Sequence, residues 1–315
     1  MHFADRLNAA VKRVGTPICV GIDPRPEDLP PEFLDKFPGD RPGVAESLRV
    51  FGSGVVDVVA PLVPIVKFQA AFYEAYGPEG VGALHATAQY AQEKGLLVLI
   101  DGKRNDIGST ADAYARAYLG KVPVGEKFEP AWHADGLTVN PYLGSDGISP
   151  FVKVAAREGK GLYVLVRTSN ASAGEFQDLV AGGKAIYQHV AERLAQWAEP
   201  YRGESGYSLL GAVVGATYPD QLAELRAALP GIPFLVPGYG TQGGSSKDVA
   251  PAFDADGLGA IINNSRGLTY AYSRPAARAK YGTDWQAAIE GAVHEMIDDL
   301  AGNTNAGKLR PPAAE

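Results

Sequence analysis

Gly95-Leu-Leu-Val-Leu-Ile-Asp-Gly-Lys-Arg-Asn-Asp106 is the stretch on which the fold turns. Its first half is a continuous apolar run, the pattern of a strand covered on both faces of a parallel sheet. Its second half is a run of opposite charges at the C-terminal end of that strand. Side chains alternate along a strand, so Asp101 and Lys103 share a face, with Asp106 following on the loop. Such a strand end is either a solvated ion pair or the mouth of a working site, and the rest of the chain decides between them.

Seven more short runs of this kind flank the first, at 18–23, 64–69, 136–140, 161–166, 210–216, 233–237 and 257–263, the central one itself covering 96–101. Helical patterns lie between them, at 45–59, 81–94, 111–119, 148–158, 181–199 and 219–228, and a last one at 284–300. Strand and helix alternating eight times predict an α/β protein of the (β/α)₈ TIM-barrel class. A doubly wound open sheet is the alternative, but eight strands in the length of one barrel favour closure. No linker or shift in composition divides the chain. Residues 3–14 predict an extra N-terminal helix capping the barrel floor. The expected domain is therefore 1–302, with 303–315 read as a mobile tail.

The 315 residues are 46% hydrophobic and carry a formal net charge of −7. That balance argues against a nucleic-acid partner but leaves room for a local basic pocket that takes a phosphorylated small molecule. A single cysteine, Cys19, excludes an intrachain disulfide and reads as a buried core thiol. The N-terminus lacks the apolar core of a signal peptide, and no run approaches the ~20 residues of a membrane span. The expectation is a soluble cytoplasmic protein without a membrane partner. The histidines at 2, 85, 133, 189 and 294 show no metal-ligand spacing.

Catalytic groups of such barrels sit at the C-terminal strand ends. Here those ends carry Asp23, Lys67, Asp101 with Lys103, Asn140, Thr168-Ser169-Asn170 and Asn263-Asn264. Lys67 follows Pro64-Ile-Val, where a lysine either reaches outward or pairs with an acid, and Asp101 on the next strand makes pairing the favoured outcome. After the seventh strand comes Pro237-Gly-Tyr-Gly-Thr-Gln-Gly-Gly244, whose glycines let backbone N–H groups approach an anion. After the eighth comes Asn263-Asn-Ser-Arg-Gly267, where Arg266 offers a planar fork for phosphate oxygens. Loops after strands seven and eight are a common phosphate site in this architecture. Gly238-Tyr-Gly-Thr-Gln-Gly243 also fits G-x-G-x-x-G, but Asp256, near the spacing of a ribose-binding acid, precedes strand eight rather than ending it. A nicotinamide enzyme is disfavoured on that ground.

Taken in order, these segments resemble the orotidine 5′-phosphate decarboxylase family, particularly its longer bacterial branch. The resemblance runs from Val20-Gly-Ile-Asp-Pro24 through Val66-Lys-Phe-Gln69, the 101–110 segment and Thr168-Ser-Asn170 to the two phosphate loops. It implies that the family's Lys-Asp-Lys-Asp array falls on Lys67, Asp101, Lys103 and Asp106. Asp106, Ile107 and Thr110 are then expected to act in the partner subunit's site of a homodimer. Asp23 matches the ribose-binding acid and Ser169 the pyrimidine-contacting serine. Pro237, Gln242, Ser265 and Arg266 fall on the phosphate side. Two departures occur: Asn105 stands where this branch commonly has glycine, and Gly102 where it commonly has alanine. Neither removes a reacting group, and asparagine tolerates a left-handed backbone better than other non-glycine residues.

The activity implied is conversion of orotidine 5′-monophosphate to UMP and CO₂ without metal or cofactor. Lys103 would deliver a proton to C6, Asp101 and Asp106 would aim it, and Lys67 would compensate the acids. Two rivals are a metal-dependent sugar-phosphate decarboxylase or aldolase relative and a non-catalytic nucleotide-binding homologue. The first wants an acid on strand two, where this chain has Lys67, with Glu74 some way beyond.

Overall fold

The computed structural model describes residues 1–240 and 243–310. Eight parallel strands close into a barrel: β1 (Ile18–Gly21), β2 (Ile65–Gln69), β3 (Leu97–Arg104), β4 (Gly136–Val139), β5 (Gly161–Arg167), β6 (Leu210–Val214), β7 (Phe234–Val236) and β8 (Ala260–Asn264). Each pairs with its successor, and β8 closes on β1 through Ile18↔Ile262, Cys19↔Asn263 and Val20↔Asn264. The expected barrel is borne out strand for strand. These strands are nearly all apolar because both faces are covered, one by the barrel interior and one by the outer helices.

Outside the barrel run α1 (Phe3–Val14), α2 (Arg41–Val59), α3 (Gly77–Glu93), α4 (Gly108–Leu119), α5 (Ser145–Glu158), α6 (Ile186–Ala198), α7 (Pro219–Ala228) and α8 (Trp285–Asn303). Helix α1 closes the floor as expected. Phe3, Ala4, Leu7 and Val11 are buried on one face, Gly15 ends the helix in the left-handed conformation, and Phe3 meets Tyr163 edge-on at 6.2 Å. A Cβ at Gly161 would lie 2.3 Å from the Phe3 ring, so β5 must start with glycine for the plug to seat. Arg6 of α1 pairs with buried Asp135 at the foot of β4.

Three expectations shift. The helix read over 181–199 starts only at Ile186, because Gly182 and Gly183 both have positive φ (57° and 83°) and turn Val180–Ala181 back onto Lys184–Ala185 as a small hairpin. Strand eight starts at Ala260 rather than residue 257, since Gly257 and Gly259 are left-handed. The tail does not leave the barrel at residue 303. Asn303 is the last residue of α8, Asn305–Leu309 form a 3₁₀ turn, Ala306 is buried, and Lys308 Nζ donates to the Ala255 carbonyl at 2.6 Å. Residues 311–315 lie outside the described residues.

Candidate active site

A cavity of about 640 Å³ opens at the C-terminal end of the barrel. Of the residues singled out from sequence it brings together Asp23, Lys67, Asp101, Lys103, Ser169, Pro237, Ser265 and Arg266. Gln242 lies outside the described residues. Asp106, Ile107 and Thr110 do not line the cavity of their own chain.

The centre of the site is a chain of alternating charges. Lys67, on β2, is 5% exposed and sits between Asp23 Oδ1 at 3.5 Å and Asp101 Oδ2 at 3.3 Å. Asp101, on β3, receives Lys103 Nζ at 2.7 Å, Thr138 Oγ1 at 2.8 Å and Gln69 Nε2 at 3.0 Å. The Gln69 N–H donates to Asp23 Oδ1 at 3.0 Å. Burial alone would push the Asp101 carboxyl up, but Lys67, Lys103 and the Thr138 hydroxyl outweigh it and bring it down to about 2. Burial likewise disfavours a charged Lys67, yet Asp23 and Asp101 hold it above the ordinary lysine range. Both groups are therefore fixed charges at neutral pH.

Lys103 owes its position to a distortion that strand alternation alone does not capture. Strand β3 continues to Arg104, but its pairing with β4 slips: Ile100 faces Leu137, and Arg104 faces Val139. Three residues on β3 thus oppose Thr138 alone, a bulge of the kind that re-aims side chains beside active sites. Lys103 sits in it with φ +46°, the only non-glycine residue in that region among those described. The Lys103 N–H donates to Thr138 Oγ1 at 2.9 Å, so Thr138 fixes both the acid and the lysine. Lys103 keeps 45% of its side chain exposed toward the cavity mouth, unlike buried Lys67. Gly102 fits this local geometry with space to spare, since an added Cβ would come no closer than 3.5 Å to Arg104.

The other strand ends divide between site and scaffold. Asn263 lines the cavity and donates to the Cys19 carbonyl at 3.1 Å. Asn140 instead accepts the Tyr142 N–H at 3.0 Å and shapes its own turn. Beyond β5, Gln177 accepts the Thr168 N–H at 2.9 Å and donates to Thr168 Oγ1 at 2.7 Å, pinning the residue that precedes Ser169. After β8, Ser265 packs so closely on β1 that a Cβ at Gly21 would fall 1.8 Å from its Oγ. Arg266 opens the short helix Arg266–Thr269 and faces the cavity. Asp256 turns at the opposite end of β8, where its N–H donates to Asp254, and it does not line the cavity.

Sequence reading missed Thr138, Gln69, Gln177 and Arg25 as site residues. Thr138 carries a faint signal, one hydroxyl in an otherwise apolar strand. Gln69 ends a segment read for Lys67, Arg25 directly follows one read for Asp23, and Gln177 lies in no segment singled out from sequence.

The chain matches the family described as orotidine 5′-phosphate decarboxylase / HUMPS over residues 16–281. It belongs to that family. An orotidine 5′-phosphate decarboxylase of Rhodopirellula baltica is 48% identical over 304 residues, which is 96% of this chain and 100% of the relative. One from Caldicellulosiruptor bescii is 42% identical over 276 residues, 86% of this chain and 90% of its own length. Among solved structures, the OMP decarboxylase of Leishmania donovani matches with a TM-score of 0.73 at 31% identity, covering 96% of this chain and 99% of that one. The family match covers the barrel and the loops after β7 and β8, so the charged array lies inside the shared region.

Proposed function

We propose that this chain converts orotidine 5′-monophosphate to UMP and CO₂, the reaction that completes UMP in pyrimidine biosynthesis. One observation carries the reading: the Lys67–Asp101–Lys103 chain of charges opens into the same cavity as Arg266.

Loss of CO₂ breaks the bond from C6 to the carboxyl carbon and leaves its electron pair on C6, in the ring plane, with little resonance relief. The site must stabilise that charge where it forms. Lys103 Nζ, held by Asp101 at 2.7 Å, is a fixed cation for this purpose and the proton donor that quenches C6. Water returns the proton to the amine after UMP and CO₂ leave. Asp101 accepts from four side chains and cannot turn away, so it holds Lys103 and presents negative charge to the departing carboxylate. Lys67 balances Asp23 and Asp101, and Asp23 would meet a ribose hydroxyl. Arg266, Ser265 and the loop from Pro237 take the phosphate. Binding energy won there can close the loop and exclude water.

The fourth member of the array fits a homodimer. Asp106 accepts the N–H of its own Ile107 at 2.8 Å and forms no ion pair among the described residues. Around it, on the loops leaving β3 and β4, Ile107 and Tyr142 are 55% and 85% exposed, and Leu143 is exposed too. An acid without a cationic partner among the described residues of its own chain, set among exposed apolar side chains, suits a residue that completes a second copy's site, together with Ile107 and Thr110. Lys103→Ala and Asp106→Asn are each expected to be inactive, and a refolded mixture to recover about one quarter of wild-type activity, because half of a random mixture is heterodimer with one intact site. Recovery of nothing would place Asp106 in its own site.

The decisive assay follows the loss of absorbance as orotidine 5′-monophosphate is consumed, before and after EDTA treatment. Full turnover in EDTA is expected. Loss of activity on chelation would favour the metal-dependent relatives, and no turnover at all would favour a non-catalytic nucleotide binder. The reading places the enzyme in the cytoplasm, and no helix among the described residues is long and apolar enough to cross a membrane.

A further inference from the structure

Four cations face the cavity: Arg25, Lys67, Lys103 and Arg266. The two lysines are neutralised by Asp23 and Asp101. Neither guanidinium has a carboxylate within ion-pair distance among the described residues. Arg266 falls on the phosphate side in the reading above, whereas Arg25 has no role there. Its guanidinium rests 4.7 Å above the ring of Phe72, which also lines the cavity. A partly exposed contact of that type is weak and easily left.

The backbone beneath Arg25 is, by contrast, tightly held, and by the segment that carries Arg266. Tyr270 accepts the Arg25 N–H at 2.8 Å and donates to the Asp23 carbonyl at 3.0 Å. Thr269 donates to the Gly21 carbonyl at 2.6 Å. Tyr270 is itself buried and stacked on Phe51 at 6.2 Å. The two guanidiniums thus stand on one rigid rim, where β1 meets β8, each with an unneutralised side chain over the same opening. Rigid backbone with a loosely parked planar cation is the arrangement of an anion receptor, since the fork is placed in advance and little is lost when it moves.

We propose that Arg25 is a second anion-binding residue of this site: it draws in the phosphate of the nucleotide and shares it with Arg266, with Phe72 as its resting place when the site is empty. The identity of the anion rests on the decarboxylase reading. The existence of the receptor does not.

Arg25→Met keeps an unbranched stem to cover Phe72 and removes the charge. In that variant kcat/KM for orotidine 5′-monophosphate is expected to fall about ten- to a hundredfold, the loss of one charge-assisted contact, with most of the change in KM. The inhibition constant of UMP should rise by the same factor, and kcat/KM should depend less steeply on ionic strength. Arg25→Lys should recover the ionic-strength dependence and part of the UMP affinity. A residue that merely braced the loop would lower kcat and leave the salt dependence alone. Values within twofold of wild type for both kcat/KM and UMP inhibition would overturn the proposal, as would a loss confined to kcat. If the wild-type protein shows no turnover, the decarboxylase reading falls by itself. Calorimetric titration of wild type and Arg25→Met with UMP and with inorganic phosphate then still tests the receptor, and equal affinities would refute it.

Discussion

Lys103→Ala is expected to lose at least about four orders of magnitude in kcat while UMP still binds within a fewfold of its wild-type affinity. Two effects multiply here. A positioned proton donor contributes about 10²–10⁴, and a fixed charge aimed at a developing anion about 10²–10³. On the proposed mechanism Lys103 supplies both, and the amine on which both would depend has its tether in Asp101, which holds it at 2.7 Å. UMP carries no carboxylate and no charge on C6, so on the proposed function its binding would draw on Arg266, Ser169 and Asp23 rather than on the amine. Stopped-flow or steady-state kinetics give the first quantity and calorimetry the second. A variant retaining more than about 1% of kcat would remove Lys103 as proton donor.

The backbone supplies an internal control. Lys103 lies at φ +46°, which costs a side-chain-bearing residue about 1–2 kcal/mol and glycine little. Lys103→Gly should therefore match Lys103→Ala in lost activity but melt higher. Equal melting temperatures would mean that the bulge relaxes once the lysine is gone, so that the amine, rather than Thr138 and the β4 pairing, enforces the strained conformation.

That strain also marks the limit of what is legible in the sequence. The barrel was readable because strands covered on both faces must be continuously apolar, and eight such runs leave few closed arrangements. The charges at the ends of β2 and β3 were readable because several such strand ends on one barrel rim favour a working site over separate solvated ion pairs. The bulge was not. Strand alternation already places Asp101 and Lys103 on one face, so the sequence reading reached the right pair without the slip of register between Ile100 and Arg104. A slip of that kind depends on Thr138 of the neighbouring strand, a contact across 35 positions of chain. Local pattern holds no trace of it. The same is true of Arg25, whose backbone is fixed by Tyr270, 245 positions away along the chain. The hairpin at residues 180–185 was legible in principle, as two adjacent glycines ending an apolar pair, but the helical pattern that follows absorbed them.

Arg266→Ala is expected to lower kcat/KM by about a hundred- to a thousandfold, some 3–4 kcal/mol. The size follows from how firmly the guanidinium is placed. Arg266 starts the helix Arg266–Thr269, whose Leu268 and Thr269 are buried. The Gly267 N–H donates to Asn264 Oδ1 at 3.1 Å, and a Cβ at residue 267 would sit 2.6 Å from that oxygen, so the turn tolerates no side chain there. On the proposed function, a cation on so rigid a base grips phosphate without first being ordered, and the energy gained is available to the reaction at the ring. Since the truncation leaves an arginine-shaped gap on an intact scaffold, guanidinium ion in solution should refill it and restore part of the activity. Arg266→Lys should recover the charge but not the planar fork, and so fall between the two. If guanidinium restores nothing while the variant folds normally, the lost activity came from the helix and not from the cation. If kcat/KM is unchanged, phosphate is held elsewhere on the rim, and Arg25, the other unneutralised guanidinium facing the cavity among the described residues, becomes the first place to look.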